Sequence, residues 1–230
     1  MILYVDYEHR STYRKAHGEW LYASRTRVAY KLQDLIGQRC LLQRYPDVGP
    51  AMVRDIGITA VFISGNGADR EAYDPAELAG LTQIIRGGET PVFGFCGGFQ
   101  LMGLALGAPL ERIGQFDQGE IDRHPDYQPG WRTELGYEPV ELVGAHPLNA
   151  RLGDQPVFRH AHSWELKELP DDFINLARTE VTEHQLMVHT ELPLAGSQFH
   201  PEYWTREHPA GARLIENFCG WAGVRRDLSQ

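Results

Sequence analysis

Short apolar segments alternate with segments of helical periodicity through the first hundred residues. Four of the apolar segments, 2–5, 40–42, 60–63 and 92–95, have the length and composition of strands that are buried on both faces. Parallel strands need crossover connections, which are usually helices. The alternation therefore predicts an α/β fold with a doubly wound, mostly parallel sheet flanked by helices, whose ligands bind beyond the carboxyl ends of the strands.

Two of the connecting segments carry signals for the ends of helices. In the first, apolar residues recur at helical spacing up to Gly37, where a C-terminal cap is expected, and this spacing leaves Arg25 on another face. The second segment begins with a capping residue and a first-turn proline, Asp74 and Pro75, and runs to the glycine pair at 87–88. Both segments are predicted to be crossover helices.

The second half of the chain contains shorter strand candidates and one polar segment. The strand candidates are 136–142, 157–162, 174–177, 185–189 and 194–199. A last helix is predicted around Leu214, Ile215 and Phe218. The segment 114–131 is rich in Gly, Asp, Gln, His and Pro, which predicts a loop or a flap over one end of the sheet. Since no linker or internal repeat is evident, we expect residues 1–230 to form a single domain.

The charge balance and the cysteine count exclude several classes of protein. The 22 basic and 31 acidic side chains give a formal net charge of −9, so there is no electrostatic footprint for nucleic acid or for an anionic membrane. Cys40, Cys96 and Cys219 fit neither a disulfide framework nor a CxxC metal site and indicate a reducing compartment. The N-terminal apolar run is too short for a signal peptide or a membrane span. We expect a cytoplasmic protein with no nucleic-acid or membrane partner.

Cys96 stands between glycines at the junction of a predicted strand and a predicted helix. A sharp corner of this kind strains the residue at its tip, and neighbouring glycines remove Cβ clashes that would otherwise forbid it. The helix N-terminus favours a thiolate, and the N–H of Gly97 is placed to hold an oxyanion. The pattern predicts a nucleophile. The alternative, a buried structural cysteine, suits Cys40 and Cys219 better.

A thiol nucleophile needs a base, and the base needs a partner that fixes its tautomer. The predicted strand 194–199 delivers His200 at its end, and Glu202 follows after a rigid proline. Alone, a His-Pro-Glu tripeptide is more often part of a loop. Together with Cys96, however, it predicts that Glu202 accepts the Nδ1–H of His200, while Nε2 faces the sulfur.

The segments 94–100 and 198–202 resemble the two catalytic motifs of the class I glutamine amidotransferase family. Three further segments resemble others of that family in the same order: 2–7 its opening strand and aspartate, 63–67 its oxyanion loop, and 161–164 the His-Ser segment beside its glutamine pocket. The resemblance extends over about residues 1 to 223. It implies a flavodoxin-like fold of the class I amidotransferase type.

This resemblance implies a mechanism. Cys96 attacks the side-chain amide of glutamine, His200 protonates the leaving ammonia, and water hydrolyses the γ-glutamyl thioester. The further site residues that the resemblance assigns are Gly65, Asn66 and Gly97 for the oxyanion hole, and Gln100, His162, Ser163 and Trp164 for the substrate. It implies neither a cofactor nor a metal.

Two positions depart from the family pattern. The family usually has a bulky residue after the nucleophile, whereas this chain has Gly97, which keeps the donor N–H but loosens the turn. The glycine expected in the oxyanion loop is Asn66 here, unless the register slips to Gly67. Asn tolerates left-handed conformations better than most residues. These departures leave open whether glutamine itself is the substrate.

Two other patterns suggest different ligands. His160 and His162 would lie on one face of a strand, which is a usable spacing for metal ligands. No third ligand is evident apart from His200, so no metal site is predicted. The loop at Ser64 could be taken for a phosphate loop, but it lacks the lysine and the length of one.

The resemblance favours a cysteine-dependent glutaminase that supplies ammonia to a synthase on another chain. An alternative is a stand-alone γ-glutamyl hydrolase or γ-glutamyl transferase that acts on a substituted amide through the same thioester. A binding or regulatory protein on a retired enzyme scaffold is disfavoured, because Cys96, His200 and Glu202 are all present.

Overall fold

The computed structural model describes residues 1–224, so residues 225–230 of the predicted domain lie outside the described part. The described strands are β1 (Ile2–Asp6), β2 (Cys40–Arg44), β3 (Ala60–Ile63), β4 (Val92–Phe95), β5 (Leu110–Arg112), β6 (Glu134–Pro139), β7 (Glu141–Leu142), β8 (Val157–His162), β9 (Trp164–Leu166), β10 (Phe173–Arg178), β11 (Leu186–His189) and β12 (Leu194–Ser197). The described α-helices are α1 (Gly18–Ile36), α2 (Pro50–Ile56), α3 (Pro75–Gly87), α4 (Gly97–Ala105) and α5 (Ala210–Trp221).

Within residues 1–224, eight strands form the central sheet in the order β2-β1-β3-β4-β12-β11-β10-β7. The first five are parallel to one another, and the last three extend the sheet in antiparallel fashion. Every residue of β1, β3 and β4 is buried, which explains why these strands are continuous apolar runs in the sequence. The predicted α/β fold with a mostly parallel sheet is confirmed.

Helices cover both faces of the sheet. Because side chains alternate along a strand, Ile2 and Tyr4 pack on one face with α1 and α5, while Leu3 and Val5 pack on the other with α2, α3 and α4. The predicted helix ends are confirmed: α1 is capped by Gly37 at φ 70°, and the Asp74 side chain caps α3. None of the helices in the described part is both long and apolar enough to cross a membrane.

Two predicted strands end earlier than expected. The segment 136–142 is divided between β6 and β7, which belong to different sheets, because β6 pairs with β8 whereas β7 pairs with β10. The strand predicted at 194–199 ends with β12 at Ser197. Beyond it, the N–H of His200 donates to the carbonyl of Arg159 at 2.8 Å, so the chain leaves the sheet and approaches β8.

Arg25 is buried, whereas its spacing in the sequence placed it away from the apolar face of α1. Its Nε donates to Asp6 Oδ1 at 2.9 Å and its Nη2 donates to the Gly65 carbonyl at 2.7 Å. The hydroxyl of Tyr13 donates to Asp6 Oδ2 at 2.6 Å. This ion pair joins α1 to the end of β1 and to the loop that follows β3.

Replacing Arg25 should therefore destabilise the fold. We expect Arg25→Met to lower the free energy of unfolding by about 3–5 kcal/mol, because the change leaves the Asp6 carboxylate buried without its charge partner. Urea unfolding measures this loss. The exposed neighbour on the same helix, Arg27→Met, should change stability by no more than about 0.5 kcal/mol. A loss for Arg25→Met as small as the loss for Arg27→Met would contradict the structural role of the pair.

Candidate active site

Cys96 forms the corner between β4 and α4, with φ 48° and ψ −103°. Residues with a side chain rarely adopt this conformation. Its N–H donates to the Ser197 carbonyl at 2.7 Å and its carbonyl accepts from the N–H of Gln100 at 2.9 Å. A Cβ at Gly94 would lie 2.5 Å from the carbonyl of Gly98, so the corner can close this tightly only with glycine at 94.

His200 lies between Cys96 and Glu202. Its Nδ1 is 2.8 Å from Glu202 Oε1, and its ring interacts with the side chain of Cys96. Burial lowers the pKa of His200, but the charges of Glu202 and Cys96 outweigh burial and raise the pKa well above its usual value. The structure thus brings the three predicted catalytic side chains together, with an imidazolium beside the sulfur.

Lys31 holds the backbone that carries Glu202. Its Nζ donates to the carbonyls of Glu202 at 2.9 Å and Trp204 at 2.8 Å, and it lies 3.7 Å from the centre of the Trp204 ring. Burial lowers the pKa of Lys31 to about 8, against the opposing charge of Glu202. Sequence patterns do not indicate this role, because Lys31 and Glu202 are 171 residues apart.

Two backbone donors line the pocket beside the sulfur of Cys96. Among residues 1–224, neither the N–H of Asn66 nor the N–H of Gly97 makes a hydrogen bond. The N–H groups of Gly67 and Ala68 are already used, since they donate to the Glu8 carboxylate at 2.6 and 3.1 Å. The geometry therefore favours Asn66 over Gly67 as the second predicted oxyanion donor.

Two glycines of the predicted oxyanion hole leave no room for a side chain. A Cβ at Gly65 would lie 2.7 Å from His200 Cε1 and 3.3 Å from Cys96 Cβ. A Cβ at Gly97 would lie 1.9 Å from Asn66 Oδ1 and 2.8 Å from the Asn66 nitrogen. The Asn66 side chain thus fills the space beside Gly97.

Gln100 is linked to the nucleophile by a residue to which the sequence assigned no role. Its Nε2 donates to Gln198 Oε1 at 3.1 Å and lies 3.3 Å from the Trp164 carbonyl. The Nε2 of Gln198, which is fully buried, lies 3.6 Å from Cys96 Sγ. Gln198 could have been suspected from its place in the second motif, two residues before His200.

Arg112 is a second residue that the sequence did not indicate. It lines the pocket that contains the nucleophile. Its Nη1 donates to Ser163 Oγ at 2.6 Å and to Gln128 Oε1 at 2.9 Å, and its guanidinium carbon lies 5.1 Å from the Trp131 ring and 4.6 Å from the Trp164 ring. None of the ion pairs found in residues 1–224 involves Arg112. Its charge is available to an anionic group.

The polar segment 114–131 reaches the same pocket. Tyr127 and Gln128 both line it. Burial raises the pKa of Tyr127 to about 12, and the charge of Cys96 acts in the same direction. The segment therefore lies beside the nucleophile, where the sequence predicted a flap over one end of the sheet.

His162 lines the pocket that contains the nucleophile, and its imidazole is directed toward Glu134. The side chain is 1% exposed, its Nε2 lies 3.0 Å from Glu134 Oε2, and its Nδ1 lies 3.1 Å from the Trp164 carbonyl. Burial raises the pKa of Glu134, but the interaction with the neighbouring His162 outweighs burial and lowers the pKa to about 2. The His162 ring supports the pocket wall from behind.

The expectation that His160 and His162 have no third potential ligand is also wrong. Glu134 is the direct partner of His162 in the antiparallel pairing of β6 with β8, and the three residues offer ligand atoms within 4.8 Å of one another. Burial lowers the pKa of His160 to about 3, so this imidazole is neutral. The sequence did not reveal the cluster, because strand pairing alone brings Glu134 to the histidines.

The other two cysteines lie outside the site. Cys219 is buried in α5, and Cys40 is half-buried in the edge strand β2, where burial raises the pKa of its thiol to about 12. A thiol of this kind is a poor nucleophile.

Known proteins resemble the chain in sequence and in fold. The family model "Glutamine amidotransferase class-I" matches residues 38–220. A glutamine-hydrolyzing GMP synthase subunit of Methanopyrus kandleri is 32% identical over 165 residues, which are 72% of this chain and 76% of that protein. The glutamine-hydrolyzing GMP synthase of Escherichia coli K12 is 29% identical over 212 residues, and the match covers 88% of this chain and 34% of that protein. The chain thus spans about a third of the Escherichia coli relative.

A solved glutamine amido transferase from Methylobacillus flagellatus has the same fold. The two structures match with a TM-score of 0.63 at 17% identity, over 100% of this chain and 80% of the other.

The contact between His200 and Glu202 should control the reactivity of Cys96. Glu202→Gln removes the charge that keeps the proton on His200, and a shift of one pKa unit changes the population of a protonation state about tenfold. We expect iodoacetamide to alkylate Cys96 in Glu202→Gln about tenfold more slowly than in the wild type at about pH 6.5. Mass spectrometry measures the rate, with Cys40 and Cys219 as internal references. The exposed Glu207→Gln is the control. If Cys96 is alkylated at the same rate in Glu202→Gln as in Glu207→Gln, Glu202 does not control the reactivity of Cys96 through His200.

Proposed function

The chain belongs to the class I glutamine amidotransferase family, and from that premise we propose that it hydrolyses the side-chain amide of glutamine and supplies the ammonia to a synthase on another polypeptide. One observation carries the proposal. His200 interacts with the thiol of Cys96 on one side, and on the other side its Nδ1 lies 2.8 Å from Glu202 Oε1. These residues adjoin a pocket with free backbone donors.

The first half-reaction forms the thioester. The Cys96 thiolate attacks the amide carbon of the substrate, and the carbonyl oxygen becomes an oxyanion that accepts hydrogen bonds from the N–H groups of Asn66 and Gly97. The intermediate collapses when the C–N bond breaks. The His200 imidazolium gives its proton to the departing nitrogen, which leaves as ammonia and leaves a neutral imidazole.

The second half-reaction releases glutamate. His200 takes a proton from water, and the resulting hydroxide attacks the thioester carbon. The C–S bond breaks and releases the side-chain carboxylic acid of glutamate, which loses its proton to solvent, and the thiolate of Cys96 is restored beside the His200 imidazolium. Throughout both steps Glu202 fixes the His200 tautomer through its Nδ1–H.

Arg112 supports an amino-acid substrate. It lines the same pocket as Cys96 and has no acidic partner among residues 1–224. Arginine binds carboxylates with charge-assisted hydrogen bonds. We propose that it holds the α-carboxylate of glutamine, while Gln100 and the backbone at Ser163 and Trp164 complete the amino-acid end of the pocket.

The relatives suggest which synthase to test. The Methanopyrus kandleri protein is named as one subunit of a glutamine-hydrolyzing GMP synthase, and the chain matches 34% of the Escherichia coli GMP synthase. A separate polypeptide that forms GMP is therefore the first partner to examine. Its addition is expected to increase glutamine hydrolysis over that of the chain alone.

Ammonia release from glutamine tests the proposed reaction directly. We expect Cys96→Ser to lower kcat by about a thousandfold or more, because the nucleophile is lost. Cys40→Ser, which removes a thiol outside the site, should retain activity. Ammonia release by Cys96→Ser at the wild-type rate would rule out the mechanism. If the wild type prefers substituted γ-glutamyl amides to glutamine, the stand-alone γ-glutamyl hydrolase or transferase becomes the better description.

Arg112 can be tested with two substrates. Arg112→Gln should raise the KM for glutamine about 10- to 100-fold with a smaller change in kcat, because a hydrogen bond to a charged group contributes about 1.5–3 kcal/mol. Glutamine whose α-carboxylate is blocked as an amide should be a poor substrate for the wild type. Arg112→Gln should no longer distinguish the two compounds. The exposed Arg123→Gln is the control, and unchanged discrimination in Arg112→Gln would refute the assignment.

A further inference from the structure

A buried cluster behind the pocket wall takes no part in the proposed hydrolysis. It consists of Glu134, His160 and His162, with exposed fractions of 7%, 0% and 3%. Their potential ligand atoms lie within 4.8 Å of one another. Buried polar groups in proteins nearly always have hydrogen-bond partners. Among residues 1–224, three of the four ring nitrogens in this cluster depart from that rule.

His160 is the clearest exception. Neither of its ring nitrogens has a hydrogen-bond partner among residues 1–224, although the residue is fully buried. Its ring centre lies 5.9 Å from that of His162 and 5.8 Å from that of Phe199. An apolar ring would fit such a position without cost, whereas an imidazole there loses its hydrogen bonds to water. A metal ion would use one of the two nitrogens.

The other two members lie close together without forming an aligned hydrogen bond. His162 Nε2 is 3.0 Å from Glu134 Oε2, yet within the described residues this nitrogen has no hydrogen bond of acceptable geometry. The ring N–H axis therefore does not lie along the line between the two atoms. His162 Nε2 can therefore ligate a third centre.

Both groups are also held by neighbouring residues, as metal ligands usually are. The Nδ1 of His162 lies 3.1 Å from the Trp164 carbonyl, which leaves Nε2 for the cluster. Gln185 donates to Glu134 Oε2 at 2.5 Å. Ligating histidines commonly donate their second nitrogen to a backbone carbonyl, and ligating carboxylates are themselves hydrogen-bonded.

We propose that Glu134, His160 and His162 bind one zinc ion. Two imidazoles and one carboxylate are a donor set that zinc uses in proteins, with water as the fourth ligand. Glu134 lies on β6 and both histidines lie on β8, so the ion would crosslink the two strands. Because β8 leads directly into Ser163 and Trp164, the ion would also stiffen the pocket wall.

Crystallography and calorimetry can test the site without changing its ligands. The Cys96→Ser protein is the parent, so that the catalytic thiol does not compete for the metal. Titration with Zn²⁺ after treatment with a chelator should show one bound equivalent and a rise in Tm of about 5 °C or more at saturation. Crystals grown with Zn²⁺ should give an anomalous peak at the zinc absorption edge among the three side chains. A peak only elsewhere, or no peak, would overturn the proposal.

Ligand variants in the same parent give an independent measurement. Glu134→Gln and His160→Phe should each weaken Zn²⁺ binding by at least about 100-fold, since loss of a supporting residue alone costs about 10- to 100-fold. His17→Phe removes an exposed imidazole that lies outside the cluster, and it should bind Zn²⁺ as the parent does. If either ligand variant binds as tightly as His17→Phe, the three residues are a buried polar cluster and not a metal site.

Discussion

The strained backbone of Cys96 is the constraint on which the rest of the site depends. A residue with a side chain at φ 48° costs of order 1–3 kcal/mol and persists only where its surroundings determine it. Here those surroundings are two neighbouring parallel strands, because β4 lies between β3 and β12. The loop after β3 supplies Gly65 and Asn66, and the segment after β12 supplies His200. The position of the corner within the sheet thus decides which loops can contribute to the site.

Buried or half-buried basic side chains hold the pieces of the site in place, although the chain as a whole has a net charge of −9. Arg25 binds the Gly65 carbonyl in the oxyanion loop, Lys31 binds the Glu202 carbonyl behind the base, and Arg112 binds the hydroxyl of Ser163 in the pocket wall. Each contact fixes one segment that carries site residues. Net charge therefore says little about the local field at a site that is assembled from several loops.

The sequence predicts those features that are encoded by neighbouring residues. The strand and helix order follows from apolar periodicity and caps, and Cys96, His200 and Glu202 lie in short motifs. Arg112 and Glu134 could not be predicted in this way, because strand pairing and a flap bring them to the site from distant parts of the chain. The early end of β12 was missed for a related reason. The turn at Gln198 depends on hydrogen bonds to other strands, which a local pattern does not contain.

The two departures from the family pattern have a common physical cause. A side chain at position 97 and the present side chain at Asn66 would compete for one space, since a Cβ at Gly97 would lie 1.9 Å from Asn66 Oδ1. With Asn66 placed as it is, its side chain and its backbone nitrogen both leave room only for glycine at position 97. The N–H groups of Asn66 and Gly97 are free of partners within residues 1–224. The two departures from the family pattern therefore keep the donors that an oxyanion needs. These two positions then give no reason to doubt glutamine as the substrate, and under the proposed function it is Arg112, which the flap contacts through Gln128, that would select the substrate.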